Sequence, residues 1–388
     1  MLIHDRIVLD HLDRMTDSTG LIQHAIYSIP RRDSGYTTDD NARALRLCAR
    51  LWRQEPDERM LSRLTKYLSF LEHARCPVRG FHNFLSYQCD WLDATGCGDC
   101  QGQAVRALAE VLGSELPMGY RTLARELIES VLPAITDLRS LRAQAYVILA
   151  WGHLWTNGIR NVERLESVAR SASQRLLECY FRSVREDWHW FESRLTYANA
   201  VLPQALFVAA RRWPEEGFLK VAAETFAFLD RATTSKDVFW PIGNSDWYPR
   251  GERKSLYDQQ PVEAVTMADA ALTAFEQTRD ERYLSIFCRA HDWFHGRNSL
   301  HESLIDSESG ACFDGLESSG MNRNQGAEST LAFLWSEVHN AEMQLVVNDT
   351  LSAAAAAQHT HRIHDPSLIL NGQPVLVAST NDCCREDR

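Results

Sequence analysis

Two adjacent acids, Asp39 and Asp40, stand in "GYTTDDNARAL", where a hydroxyl-rich turn gives way to an apolar helical run. Glu263 follows "DQQPV" and Glu328 follows "NQGA" at comparable points further along. Carboxylates gathered at one mouth suit glycoside chemistry: a protonated acid gives its proton to the leaving oxygen, and a second carboxylate acts as base or nucleophile. Neighbouring acids raise one another's proton affinity, which keeps one of them protonated near neutrality. Asp40, Glu263 and Glu328 are therefore the candidate catalytic residues. A lone Asp at a helix start is equally well explained as a cap or as a partner of the helix dipole, and Asp40 fits that role too. Glu263 and Glu328 do not, since both fall after the expected cap, and Gln259-Gln260-Pro261 already supplies a polar start with Pro in the first turn.

Polar and aromatic residues surround these acids in sequence. Asp39 and Glu192 would bind hydroxyls or orient an acid. Asp99, Asn199, Asp258, Gln260 and His82 are further polar candidates, while Tyr36, Trp190, Tyr197 and Trp247 offer flat rings with a polar edge, suited to the apolar face of a sugar. Of the 11 Trp, Trp91, Trp188, Trp190, Trp240 and Trp247 fall in loop-like stretches. Trp52, Trp151, Trp155, Trp213 and Trp335 fall in helical runs and are expected in the core.

What must position these residues is a repeat. A small Ala after a polar or Gly residue opens an apolar helical run at Ala42, Ala104, Ala145, Ala200, Ala264 and Ala327, roughly 40–65 residues apart. These runs are apolar on more than one side, as buried helices are. Before each lies a one-sided amphipathic stretch, over about 4–15, 57–74, 119–138, 161–182, 215–232 and 280–296. Six outer and six inner helices in alternation predict an all-α fold, an (α/α)6 barrel or six-hairpin toroid. One shared core makes residues 1–345 a single domain. Residues 346–388 read as a C-terminal extension, with one short strand pair around Asn371-Gly372. Segments leading into inner helices are mostly long and those leaving them short, so the long loops should gather on one face, over the inner-helix N-termini. The third unit, "LRSLRAQ", is the exception and offers only Arg142 and Gln144.

Composition narrows the function. The 388 residues are 45% hydrophobic and 24% charged, an ordinary globular balance. A net charge of -11 without a basic stripe argues against nucleic acid. Neither a secretory core nor an apolar run of membrane-spanning length is found, so the expectation is a cytoplasmic protein with no membrane partner. The 10 cysteines lack scaffold spacing, and the one CxxC, Cys97 and Cys100, has no second pair to complete a zinc site. With no HExxH, GxSxG or GxxxxGK[ST], no metal or other cofactor is expected. His24, His82 and His189 fall at the loop face and could serve as bases.

The stretches "GYTTDDNARAL", "WHWFESRLTYANAVLPQAL", "DQQPVEAV" and "NQGAESTLAFL" resemble those of bacterial (α/α)6-barrel carbohydrate-active domains. Such domains are attached to glycosyltransferases, are similar to six-hairpin glycosidases, and are associated with mannoside-processing genes. The resemblance covers roughly residues 1–345. It implies Asp39, Asp40, Glu192, Glu263 and Glu328 as cleft residues without assigning their roles. It also implies an oligosaccharide substrate, and a glycosyltransferase or phosphorylase of the same pathway as partner. One departure stands out: the family pattern has Gly-Arg-Ala at the second inner helix, whereas "GDCQGQAVRAL" carries Gln103 in place of the Arg. Three readings follow. The first is a glycoside hydrolase acting on a short manno- or gluco-configured oligosaccharide. The others are a sugar epimerase or isomerase relying on His, and a non-catalytic glycan-binding module.

Overall fold

Alanine-rich helices can approach one another closely, and here they form a ring. The computed structural model describes residues 7–54, 56–76 and 79–344. Its inner helices are α2 (Thr38–Trp52), α4 (Gly98–Leu112), α6 (Leu141–Thr156), α8 (Val201–Arg212), α10 (Pro261–Thr278) and α12 (327–344). Its outer helices are α1 (Asp10–Met15), α3 (Glu58–Ala74), α5 (Met118–Thr136), α7 (Glu163–Ser183), α9 (Phe218–Thr233) and α11 (Arg282–Phe294). Consecutive inner helices from α2 to α10 pack side by side, and α3, α5, α7, α9 and α11 each lie against the inner helix before them. Ion pairs from Arg43 to Glu328 and from Arg50 to Glu342 join α12 back to α2. The chain folds as an (α/α)6 barrel.

Residue patterns account for the two rings. In α4 every residue from Cys100 to Leu112 is buried, whereas α3 buries only the stripe Met60, Leu64, Tyr67, Leu68, Phe70, Leu71 and Ala74. At Gly102 a Cβ would stand 2.9 Å from the Ala143 carbonyl oxygen, so α4 and α6 pack this closely only with glycine there. Trp151 and Trp213 stack at 4.6 Å within the core, each ring contributing a large buried apolar area. Trp335 is also buried, whereas Trp52 and Trp155 are only partly so.

The connections behave as the sequence suggests. Two- and three-residue antiparallel strand pairs lie in the long segments that lead into inner helices, and some link different units: Tyr36–Thr37 pairs with Phe84–Leu85, and Arg194–Leu195 with Tyr248–Pro249. The segment into α6 is short. The expected first outer helix is the main difference, since among the described residues of that stretch, from Ile7 on, only Asp10–Met15 is helical. Its backbone is engaged elsewhere, His11 N–H donating to the Ser309 carbonyl at 2.8 Å. The compact unit holding the barrel spans Met1–Glu342. The expected 346–388 extension, with its strand pair, lies outside the described residues. Among those described, no helix is long and apolar enough to cross a membrane.

Candidate active site

At the start of α2 the helix cap is Thr37, not either acid. Thr37 Oγ1 accepts from Asp40 N–H at 3.0 Å and donates its own proton to Asp40 Oδ2 at 2.6 Å. The capping need is thus met by a hydroxyl, and Asp40 is left to face the mouth while only 4% exposed. Burial first, then the neighbouring Asp39 charge, raises its proton affinity, so that its pKa stands at about 7. The segment around Asn83 crosses over this turn, with Asn83 Oδ1 accepting from Asp39 N–H at 3.2 Å.

Arg43, one turn along α2, organises the acids. Its Nη2 lies 2.9 Å from Asp39 Oδ2 and its Nη1 2.7 Å from Glu328 Oε2 on α12. Asp39 Oδ1 is buried without a partner. Burial raises the Asp39 pKa, Arg43 lowers it, and Glu328 and Asp99 raise it further. Asp39, Asp40 and Glu328 line one cleft of about 460 Å³, together with Gln260, Asp314 and His24. Asp314 Oδ1 accepts from Gly326 N–H at 2.7 Å, and burial raises its pKa.

A second group continues around the mouth on α4, α6, α10 and the segment leading into α8. Glu263 is 5% exposed, accepts from Ala198 N–H, and accepts from Asn199 Nδ2 at 3.2 Å. Burial raises its pKa to about 7, against the pull of these donors and of Arg142. Ala198 has φ +43, an uncommon backbone state for a residue with a side chain. Arg142 reaches Glu192 Oε2 at 3.0 Å, Thr196 Oγ1 at 2.7 Å and the Tyr197 carbonyl at 2.5 Å. Its guanidinium lies 4.6 Å from the Tyr197 ring centre. Tyr197 donates its hydroxyl to Asp99 Oδ2 at 2.6 Å, and Asp99 Oδ1 accepts from Ser140 at 2.8 Å. Trp247 stands 6.2 Å from the Tyr197 ring.

Below the mouth the barrel lumen narrows to a small cavity of about 50 Å³, lined among others by Arg43, Arg46, Gln103, Arg106, Asp269 and Trp335. Arg106 lies 2.9 Å from Asp269 and Arg46 3.5 Å from the same oxygen. Arg46 also sits 3.9 Å over the Trp335 ring. Burial alone would raise the Asp269 pKa, but His339, Arg106 and Arg46 hold it well below the usual carboxylate range. Gln103, the departure from the family pattern, lines this lumen beside Arg106.

The structure thus brings Asp39, Asp40, Glu328 and Gln260 to one cleft, and Glu192, Glu263, Tyr197, Asp99 and Trp247 to a neighbouring part of the mouth. Asn199 is completely buried and holds Glu263 and Arg142 rather than facing a ligand. Tyr36 is 1% exposed, its hydroxyl donated to Asp17 at 2.7 Å. Trp190 is fully buried against Phe191 and Phe228. Neither ring reaches the cleft, a correction to their expected contact role, because these loops fold back onto apolar layers of their own. Trp188 is buried as well, its Nε1–H donated to the Glu192 carbonyl at 2.7 Å. His82 stacks on Trp91 at 5.0 Å with Nδ1 2.8 Å from the Asp93 carbonyl, and Asp258 accepts from Ser245 at 2.6 Å; neither is among the residues lining the acid cleft. Cys97 is exposed and Cys100 buried, both thiols free. Sequence reasoning missed Arg43, Asp314 and the lumen pair Arg46 and Arg106. Arg43 had a visible signal, standing four residues after Asp39.

By sequence, no family model matches the chain, and neither does any curated protein. Its structure, in contrast, is similar to solved carbohydrate-active enzymes. Cellobiose 2-epimerase from Spirochaeta thermophila aligns with TM-score 0.66 at 14% identity, over 88% of this chain and 95% of that one. A D-mannose isomerase aligns with TM-score 0.65 at 13% identity, over 87% and 97%. A GH76 alpha-mannanase from Bacteroides thetaiotaomicron aligns with TM-score 0.63 at 10% identity, over 89% and 96%. At such identities the likeness is one of fold, the (α/α)6 barrel that hydrolases and epimerases of sugars share.

Proposed function

We propose that this protein is a glycoside hydrolase acting on a short manno- or gluco-configured oligosaccharide. The observation that carries the reading is the pairing in one cleft of Asp40, protonated up to about pH 7, with Glu328, which lies 2.7 Å from the Arg43 guanidinium. Asp40 gives its proton to the glycosidic oxygen as that bond breaks. Glu328 acts on the opposite side of the sugar, as base toward water or as nucleophile. Asp39 orients Arg43 and accepts from sugar hydroxyls, and Gln260 adds a neutral polar contact. Glu263, held by Ala198 and Asn199, binds a hydroxyl at the neighbouring subsite and is the alternative proton donor. Tyr197 and Trp247 form the apolar wall there, and Glu192 and Asp99 fix the residues behind them.

An oligosaccharide panel, read by released sugar, tests the assignment. Cleavage that disappears in Asp40→Asn and Glu328→Gln, with binding kept in calorimetry, supports it. Binding without turnover in the wild type would instead make the protein a glycan-binding module. A second reading, a sugar epimerase or isomerase, draws support from His24, which lines the same cleft near Asp314. Deuterium uptake from heavy water into a reducing sugar, lost in His24→Ala, would favour that reading over hydrolysis.

A further inference from the structure

Outside the cleft, the helix α11 carries the sequence "HDWFH", which places His291 and His295 four residues apart on one face. Glu337 on α12 meets both. His295 Nε2 lies 3.0 Å and His291 Nε2 3.6 Å from the same Glu337 oxygen, and the three donor atoms lie within 4.8 Å of one another. We propose that His291, His295 and Glu337 form a zinc-binding site that clips the outer helix α11 to the last inner helix. Two imidazoles and one carboxylate are a donor set suited to Zn²⁺.

The spacing fits. Zn–N and Zn–O bonds near 2.0–2.2 Å put the ligand atoms of a tetrahedral ion about 3.4 Å apart. The two carboxylate–imidazole separations, 3.0 and 3.6 Å, lie on either side of that value, and the imidazole–imidazole one is no more than 4.8 Å. Behind His291, the buried Ser336 hydroxyl lies 3.0 Å from Nδ1. In the tautomer whose Nδ1–H donates to it, the Nε2 lone pair faces Glu337, the kind of support that orients metal-bound histidines. His295, its side chain 43% exposed, opens the group to solvent, leaving a fourth position for water.

This site is separate from the acid cleft. Glu337 follows Glu328 by two and a half helical turns, which places it about 13 Å along α12 and on the opposite face. Its role is accordingly structural.

The full-length chain, freed of metal by chelation and dialysis, tests the inference by calorimetry with Zn²⁺ alone and by absorption after addition of Co²⁺. The expected result is one ion bound at this site, tetrahedral Co²⁺ bands without a thiolate charge-transfer band, and a thermal midpoint that rises with Zn²⁺. His295→Ala and Glu337→Gln, checked for folding by circular dichroism, should each weaken binding by more than about 100-fold, beyond the cost of losing a supporting partner. Absence of Zn²⁺ binding in the wild type would overturn the proposal. So would binding unchanged in both variants, which would place the metal on other donors such as His359, His361 and His364.

Discussion

Arg43 on the first inner helix grips Glu328 on the last, Nη1 to Oε2 at 2.7 Å. The same side chain holds Asp39 at 2.9 Å, so one guanidinium sets the spacing of two mouth carboxylates. Arg43→Met removes that clamp. A fully buried pair broken on one side costs about 3–5 kcal/mol. Glu328 here is 40% exposed, so about 1–3 kcal/mol is expected in urea unfolding, with turnover on a cleaved oligosaccharide falling at least about tenfold, the rate lost when ~1.4 kcal/mol of transition-state stabilisation is removed.

Asp40 ties stability to pH. Its folded pKa of about 7 exceeds the ordinary 3.8, so the folded chain keeps the proton more tightly than the unfolded one. The stability this contributes is complete below about pH 4 and is lost as pH rises toward 7, with a ceiling of about 4 kcal/mol. Asp40→Asn removes that penalty but loses part of the Thr37 hydrogen bond, worth about 1 kcal/mol. The variant should therefore unfold at higher urea than the wild type at about pH 8, by roughly 1–3 kcal/mol, and lose the advantage at about pH 4 while being inactive throughout. In the wild type, kcat/KM should decline above about pH 7 as Asp40 gives up its proton.

Asp269 sits in the lumen between Arg106 at 2.9 Å and Arg46 at 3.5 Å. Asp269→Ala leaves two buried guanidinium groups short of their shared counter-charge. A loss of about 3–5 kcal/mol is expected, read as a fall in the denaturation midpoint.

Tyr197 donates to Asp99 at 2.6 Å from a partly exposed position. Tyr197→Phe keeps the ring and removes the hydroxyl. Stability should change by about 1 kcal/mol or less, whereas the oligosaccharide KM should rise with kcat little altered, the pattern of a lost ground-state contact.

At Gly102 two effects compete. Alanine gains about 1 kcal/mol of helix propensity, but its Cβ would press on the Ala143 carbonyl and on Tyr146 Cβ, each 2.9 Å away. Overpacking costs about 1–3 kcal/mol, so Gly102→Ala should come out destabilising in thermal unfolding.

The inner-helix starts were legible in the sequence because burial on all sides leaves a dense apolar signature that outer helices lack. The mouth followed from them, since acids placed just inside those starts must converge when six helices form a ring. Much of the rest depended on contacts between distant segments. The cap at α2 was hidden because Thr37 and Asp40 both carry the right oxygen, and only geometry decides which accepts. Trp190 and Trp188 carry the composition of a sugar platform but bury themselves against Phe228. Arg106 and Asp269, 163 residues apart, meet only across the lumen. The His291 and His295 spacing was visible in the chain, but its carboxylate comes from another helix and so gave no local pattern.

The ring is closed by two ion pairs between its first and last inner helices, Arg43 to Glu328 and Arg50 to Glu342. The barrel therefore has no terminal repeat of the kind that caps an open solenoid, and every inner helix has two neighbours. During synthesis the acid cleft stays half built until α12 emerges, because Glu328 arrives on the final helix while Asp40 arrives on the first of the ring. A circular permutant opened in one of the short links on the far side, such as the connection from α10 to α11, would present the same two acids in the reverse order of synthesis.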